Sequence, residues 1–252
     1  MTGSNTPKEV RSVSKTGGAK GVKKQSYALI PPFAFRQLAE LYGNGARKYD
    51  AHNFRRGYEQ SKSYSALQRH ANLFWAGENI DIEMQLSHMS SVVWHIFALI
   101  ESQEMHPEFD DRQYDYKGED FTRAPLAYRE NDTNMAEPDR VVEGITIRYD
   151  LVPLRPLALI AEVYGVLGVP ALRKWGEMYA LFQYHVNEYW AGHSTTEVEG
   201  KQLHNLALAG YYAMALLDWS ANDDAADEAL AYDDRFIVGA AYIGFNSDPA
   251  AS

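Results

Sequence analysis

The chain has 252 residues, of which 46% are hydrophobic and 23% are charged, a composition typical of a folded protein with a sizeable core. It contains no cysteine, which excludes disulfides, thiolate metal sites and a cysteine nucleophile, and which fits a reducing compartment. Its net charge of −10 disfavours broad contacts with phosphate backbones, so we expect no stable complex with nucleic acid.

Composition divides the chain into five segments. Residues 1–24 are rich in Ser, Thr, Gly and Lys without a helical or strand period, which predicts a disordered basic tail. Residues 25–103 and 145–219 carry apolar stripes with helical spacing. Residues 104–144 are polar and predict a linker, and residues 220–252 predict an acidic C-terminal tail.

The apolar stripes predict three helices in each of the two long segments. These helices are predicted at residues 32–43, 62–76, 86–103, 155–165, 171–191 and 200–219. The longest apolar stretch, residues 206–217, is shorter than the ~20 residues of a membrane-spanning helix. We therefore expect a cytoplasmic protein with no membrane partner.

Five matches in the same order relate the two long segments and indicate an internal duplication. The matched pairs are 27–31 with 149–153, 39–43 with 161–165, 64–70 with 179–185, 75–77 with 190–192, and His88 with His204. Three helices with one-sided apolar stripes do not close a core alone. The prediction is therefore an all-α helical bundle, built from two tandem three-helix repeats with pseudo-twofold symmetry.

Three carboxylates lie close together between the second and third predicted helices. Glu78, Asp81 and Glu83 fall within six residues. Carboxylate oxygens are ligands for Mg²⁺ or Mn²⁺, so this cluster is a candidate metal site. The alternative is a solvated acidic loop in which Asp81 caps the next helix.

A polar stripe lies on the third predicted helix of the first repeat. His88, Ser91 and His95 share one face because they are spaced i, i+3 and i+7. The stripe predicts either a face toward a pocket or histidines hydrogen-bonded in the core. On the second helix, Arg69 is a candidate phosphate contact, because guanidinium groups fit phosphate oxygens. His70 recurs as His185 and is either functional or structural.

Residues 43–57 are rich in cations, glycines and amides and predict a loop. Lys48 and Arg55 would favour phosphates, and Asn53 could contact a base or a sugar. A basic surface loop without a ligand is the alternative. The second repeat lacks most of this loop, the acidic cluster and the polar stripe. This loss predicts one functional site per chain, in the first repeat, with the second repeat lining the pocket.

Together, these motifs resemble those of the phage-type dATP/dGTP diphosphohydrolases, which are related to the MazG-like all-α nucleotide pyrophosphohydrolases. The resemblance covers residues 23–103 well and residues 145–219 faintly. It is carried by Tyr27-Ala-Leu-Ile-Pro-Pro32, Ala39-Glu-Leu-Tyr-Gly43, Gly45-Ala-Arg-Lys-Tyr49, Asn53-Phe-Arg-Arg-Gly57, Arg69-His70, Trp75-Ala-Gly-Glu78, Asp81-Ile-Glu83 and Ser87-His88. The chain departs from that family at two positions, where Ser91 replaces a histidine and His95 replaces an asparagine.

The resemblance implies Mg²⁺-dependent hydrolysis of a purine deoxynucleoside triphosphate to the monophosphate and pyrophosphate. The cytoplasm would be that of the host if a bacteriophage encodes the protein. The implied metal ligands are Glu78, Asp81 and Glu83, with Mn²⁺ as the alternative ion. The implied catalytic residues are His70, His88 and Arg69. The implied substrate-binding residues are Lys48, Asn53, Arg55 and His95. In this scheme His70 or His88 acts as general base or orients the attacking water.

Two other functions remain open at this point. The first is a catalytically weak protein that binds and sequesters nucleotides. The second is a helical interaction scaffold whose motifs are remnants. A homodimer is compatible with either function and with the enzyme.

Overall fold

The computed structural model describes residues 10–21, 23–112, 147–170 and 174–221. Within these ranges the protein is mostly helical, as predicted, and its strands form short antiparallel hairpins. None of the helices in these ranges is both long and apolar enough to cross a bilayer. The predicted linker and C-terminal tail lie largely outside the described residues.

In the described ranges, six α-helices form the body of the protein. They are α1 (Pro32–Lys48), α2 (Gln60–Trp75), α3 (His88–Met105), α4 (Leu154–Leu167), α5 (Trp175–Trp190) and α6 (Asn205–Ala221). The hairpin strands are β1 (Arg11–Val13) with β2 (Ala19–Gly21), β3 (Ile80–Asp81) with β4 (Leu86–Ser87), and β5 (Thr195–Val198) with β6 (Lys201–His204). The first hairpin lies in the segment for which the sequence predicts a disordered tail, and all of its strand residues but Gly21 are exposed.

The helix bounds differ from the predicted ones where polar residues continue a helix or a hairpin precedes it. Helix α1 begins at Pro32, because a proline ring suits the first position of a helix, and it runs on to Lys48. The loop predicted from residue 43 therefore begins only at Tyr49. Helix α3 begins at His88 rather than residue 86, because β4 ends at Ser87. The Ser87 hydroxyl accepts a hydrogen bond from the Met89 amide at 3.2 Å and caps the helix.

Helices α3 and α6 form the centre of the core. Nearly all side chains between His88 and Ile100 are buried, and α6 is buried from its first residue to Leu217. Helix α6 contacts α1, α3, α4 and α5, which explains why its sequence is apolar on every side. The second half of the chain therefore supports the helix that carries the polar stripe.

The contacts between α2 and α5 are reciprocal. The ring of Tyr64 stacks on Trp190 at 4.0 Å, and the ring of Tyr179 stacks on Trp75 at 4.4 Å. An offset of 115 residues converts each of these pairs into the other. The order of α-helices and hairpin is also the same from α1 to α3 as it is from α4 to α6. These contacts agree with the proposed duplication, although superposition of the two repeats stays a prediction.

Close packing at Gly165 gives a stability prediction. A β-carbon at this position on α4 would lie 2.0 Å from the backbone oxygen of Lys24, so the N-terminal segment would have to move. We expect Gly165→Ala to lower the free energy of unfolding by about 1–3 kcal/mol. The matched control is Gly45→Ala on α1, where a β-carbon meets no atom within 4 Å and helix propensity should improve. Urea denaturation measures the free energy of unfolding of both variants. Equal changes in the two variants would contradict the close packing of Gly165 against Lys24.

Candidate active site

A cavity of about 460 Å³ lies among α1, α2, α3 and the segment that joins α1 to α2. It is lined by Leu41, Tyr42, Gly45, Ala46, Tyr49, Asp50, His52, Asn53, Phe54, Tyr58, Lys62, Ser63, Ala66, Arg69, His70, Asp81, Glu83, Met84, Ser91, Trp94, His95 and Leu151. The sequence predicts that the second repeat lines this pocket, but from the described part of that repeat only Leu151 does so. The walls come from the first repeat.

Two histidines and one aspartate converge beside the cavity, which His70 and Asp81 line and His88 does not. His70 lies on α2, His88 is the first residue of α3, and Asp81 lies on β3. The Nδ1 atoms of the two histidines are 2.8 Å apart, and Asp81 Oδ2 lies 3.8 Å from His70 Nδ1. One donor atom from each of the three residues lies within 4.8 Å of the others, an arrangement that could hold a metal ion. The β3–β4 hairpin brings Asp81 back toward α2.

Neighbouring groups orient this cluster, which we call the His–Asp cluster (His70, Asp81 and His88). The outer nitrogen of His88, Nε2, lies 3.5 Å from Glu78 Oε1. A carboxylate on the far side of a metal-binding imidazole fixes its ring orientation in many metal sites. Asp81 Oδ1 accepts a hydrogen bond from the Glu83 amide at 2.9 Å, which leaves Oδ2 toward the histidines.

The structure does not gather the three carboxylates predicted as metal ligands. Of these, Asp81 joins the His–Asp cluster. Glu78 stands beside His88 with its side chain 51% exposed. Glu83 lines the cavity but forms a salt bridge with Lys48. The resemblance implies proton transfer for His70 and His88, whereas their convergence with Asp81 makes them candidate metal ligands.

Burial keeps two cavity histidines neutral. It lowers the pKa of His70 to about 4, with the charge of Arg69 and the neighbouring His88 acting in the same direction. It also lowers the pKa of His95 to about 3, again with smaller contributions from His70 and Arg69. Both rings are therefore uncharged near pH 7, and an unprotonated ring nitrogen can bind a metal or accept a hydrogen bond.

Two cationic side chains line the cavity. The guanidinium of Arg69 lies 3.5 Å from His70 Nε2, and among the described residues no carboxylate forms a salt bridge with it. Lys62 also lines the wall and pairs with Glu59 at 2.5 Å. Sequence reasoning missed Lys62, which stands among other polar residues at the start of α2.

Two of the predicted substrate-binding residues line the cavity and two do not. Asn53 and His95 belong to the wall. Lys48 is absent from the wall and is held by Glu83. Arg55 is also absent, because its guanidinium pairs with the buried Glu101 carboxylate at 3.2 Å.

The pairing of Arg55 gives a prediction that separates a structural role from phosphate binding. Glu101 is buried, and burial raises its pKa against the opposing effect of Arg55. Arg55→Met would leave this carboxyl without its partner and should lower the free energy of unfolding by about 2 kcal/mol. We expect KM for a nucleotide to change less than about twofold, since the side chain does not line the cavity. An increase in KM with unchanged thermal stability would restore the phosphate role.

The second repeat has a different arrangement where the first has the His–Asp cluster. His185, the counterpart of His70, bonds Asn205 Oδ1 at 2.9 Å, and the Asn205 amide donates to the His193 carbonyl at 2.7 Å. His193, which replaces Glu78, pairs with Glu188. In the portion of the second repeat that the structure describes, no group of three metal-binding side chains converges. Its histidine is therefore part of an internal hydrogen-bond network.

Comparison with known proteins finds a family match over the residues of this site. Residues 14–112 match the family model described as dATP/dGTP diphosphohydrolase, N-terminal. No curated protein and no solved structure matches the chain. The matched range contains α1, α2 and α3, the His–Asp cluster and every cavity-lining residue except Leu151. Residues 14–112 of this chain are therefore similar to the dATP/dGTP diphosphohydrolase N-terminal family.

Proposed function

We propose that the protein hydrolyses a purine deoxynucleoside triphosphate to the monophosphate and pyrophosphate, with a divalent cation bound by the His–Asp cluster. The observation that carries this proposal is the convergence of His70, Asp81 and His88 beside a cavity lined by Arg69. A cavity of about 460 Å³ is of the size that holds a nucleotide-sized ligand. The match of residues 14–112 supports the same reaction class.

The donor set fits a divalent cation that accepts nitrogen as well as oxygen. His70 Nδ1 and His88 Nδ1 lie 2.8 Å apart, so both could bind one ion, and without an ion the two rings share a hydrogen bond. Mg²⁺ prefers oxygen ligands and imidazole suits transition metals, so Mn²⁺ fits this set better than Mg²⁺. Such an ion, when bound, would polarise a phosphoryl oxygen and lower the pKa of a water molecule.

The protein's own side chains would bind and orient the substrate. Arg69 would bind phosphate oxygens through its fork of N–H donors, and Lys62 would add a second positive charge at the same wall. His95, which is neutral, would donate or accept one hydrogen bond without attracting a phosphate. If His70 and His88 bind the cation, neither is free to act as general base. Glu83, which lines the cavity and pairs with Lys48, would then be the candidate to hold the attacking water.

A second candidate function is sequestration of a nucleotide without hydrolysis. It is favoured by Ser91, which lines the cavity where the resembling family carries a histidine. Serine is a poor ligand for a divalent cation and a poor base compared with imidazole. Binding would then rely on the cavity wall and Arg69 alone.

Product analysis distinguishes the two functions. The protein is incubated with dATP, dGTP, dCTP and dTTP in Mn²⁺ or Mg²⁺, and the products are resolved by ion-exchange chromatography. We expect equal amounts of monophosphate and pyrophosphate from a purine substrate, and none in the presence of a chelator. Absence of products, together with a rise in thermal stability on adding nucleotide, would support sequestration. Release of the deoxynucleoside diphosphate and inorganic phosphate would contradict the proposed cleavage to monophosphate and pyrophosphate.

A further inference from the structure

We propose that Tyr42 and His52 recognise the edge of the nucleobase in this cavity, while the base packs against an aromatic wall formed by Tyr42, Phe54 and Trp94. The inference rests on the proposed function, because it takes a nucleotide as the occupant. It concerns a part of the cavity that the His–Asp cluster and Arg69 do not use.

Three aromatic side chains from separate elements form the wall. The centroid of Phe54 lies 5.4 Å from that of Tyr42 and 5.9 Å from that of Trp94, and both pairs meet edge to face. All three line the cavity. Aromatic rings are the usual packing surface for a nucleobase, because every base presents a flat π-face.

A row of ring contacts joins this wall to the His–Asp cluster. The ring of Trp94 lies 4.9 Å from that of His95, and the ring of His95 lies 6.1 Å from that of His70. A ligand in this one cavity can therefore contact the cluster and the aromatic wall together. A nucleotide has this layout, with phosphates at one end and a planar base at the other.

Two polar atoms at the wall lack a partner. Tyr42 Oη and His52 Nδ1 are buried and have no hydrogen-bond partner among the described residues. A buried polar group without a partner costs about 1–3 kcal/mol, so each calls for an explanation. Burial raises the pKa of Tyr42 and lowers that of His52, which keeps both neutral. A tyrosine hydroxyl and a neutral imidazole offer both donors and acceptors, as the edge of a base requires.

The backbone at His52 gives an independent indication. Its φ of 61° lies in the left-handed region, which glycine adopts freely and which strains other residues. The residue directly precedes the short helix Asn53–Arg56 and turns the chain into the wall that Phe54 joins. An imidazole kept in such a conformation at a cavity wall is consistent with use of the ring in binding.

Substrate selectivity tests the inference. The variants are Tyr42→Phe, which removes one hydroxyl, and His52→Asn, which tolerates the left-handed backbone. We expect kcat/KM for the preferred purine substrate to fall about tenfold or more, mainly through KM. The ratio of kcat/KM between the preferred and the other deoxynucleoside triphosphates should also fall. Inorganic tripolyphosphate, which has no base, serves as the probe that should be unaffected: its competitive inhibition constant should stay within twofold of wild type.

The matched control is Tyr164→Phe. Tyr164 Oη is also buried without a partner but lies on α4, outside the cavity wall. This variant should keep the wild-type selectivity, and thermal unfolding of all three variants identifies effects of stability alone. Wild-type ratios in Tyr42→Phe and His52→Asn would overturn the inference. If the wild-type protein hydrolyses no nucleotide, the proposed function fails, and the base-recognition inference is tested by calorimetric titration with the four triphosphates. A base preference in binding that is unchanged in both variants would overturn the inference.

Discussion

Replacing His88 by alanine should reduce kcat/KM for the deoxynucleoside triphosphate by more than about 100-fold. Mutation of a residue that only supports a metal ligand already lowers metal affinity or activity by about 10–100-fold, and His88 is itself a proposed ligand. The ring of His88 contributes Nδ1 to the His–Asp cluster, 2.8 Å from His70 Nδ1. Its loss leaves one imidazole and one carboxylate to hold the cation. Steady-state release of pyrophosphate at saturating Mn²⁺ measures the effect.

The second repeat offers a matched control for this variant. His204 is the counterpart of His88, but its Nε2 lies 3.0 Å from Gln103 Oε1, outside the cavity wall. His204→Ala should keep wild-type activity apart from any loss of stability. Glu78→Gln should give an intermediate loss of about 10–100-fold, because the carboxylate orients His88. Equal losses in His88→Ala and His204→Ala would mean that the cluster has no special role.

Replacing Arg69 by alanine should lower kcat/KM by about 100-fold, which corresponds to about 2.7 kcal/mol of transition-state stabilisation. Its guanidinium lies at the cavity beside His70 and forms no salt bridge with a carboxylate in the described part of the chain. The group is thus available for the charge that develops on the phosphates. Kinetics at several substrate concentrations separate the contributions to kcat and KM.

Arg56→Ala is the control for this charge removal. Arg56 is exposed and pairs with Asp50 at 2.7 Å, but its side chain does not line the cavity. We expect its kcat/KM to stay within about threefold of wild type, since screened surface charges contribute little. Retention of full activity in Arg69→Ala would exclude the arginine from catalysis.

The sequence predicts the helices well because their apolar stripes are long and regular. It misplaces the start of α3 and of α6, because a hairpin of two to four residues per strand has no period long enough to detect. It also ends α1 too early, at Gly43, since a glycine inside a helix reads as a break while the helix continues to Lys48.

The candidate site is predictable only in part, because its contacts are long-range. The local carboxylate spacing indicates Asp81, but the two histidines that join it in the cluster come from α2 and α3. The pairing of Arg55 with Glu101 spans 46 residues and has no local signal. The aromatic wall combines rings from α1, a short helix and α3, each of which reads as an ordinary core residue on its own. Local spacing identifies candidate ligands, and the fold decides which of them meet.

The predicted duplication would give its two copies different roles, because apolar or bonded side chains replace the polar stripe in the second copy. In the second repeat the positions of His88, Ser91 and His95 hold His204, Ala207 and Tyr211. Ala207 is fully buried, and the Tyr211 hydroxyl donates to the Gly168 carbonyl at 3.2 Å. These side chains pack and form hydrogen bonds inside the helical bundle, so the second repeat supports α3 through its contact with α6. We therefore expect one active site per chain.

Titration of the chain with Mn²⁺, followed by electron paramagnetic resonance of the free ion, tests the central claim most directly. The account predicts one tight site per chain in wild type and in His204→Ala, and loss of that site in His70→Ala with thermal unfolding still cooperative. Two equivalent sites per chain, or undiminished binding in His70→Ala, would contradict it.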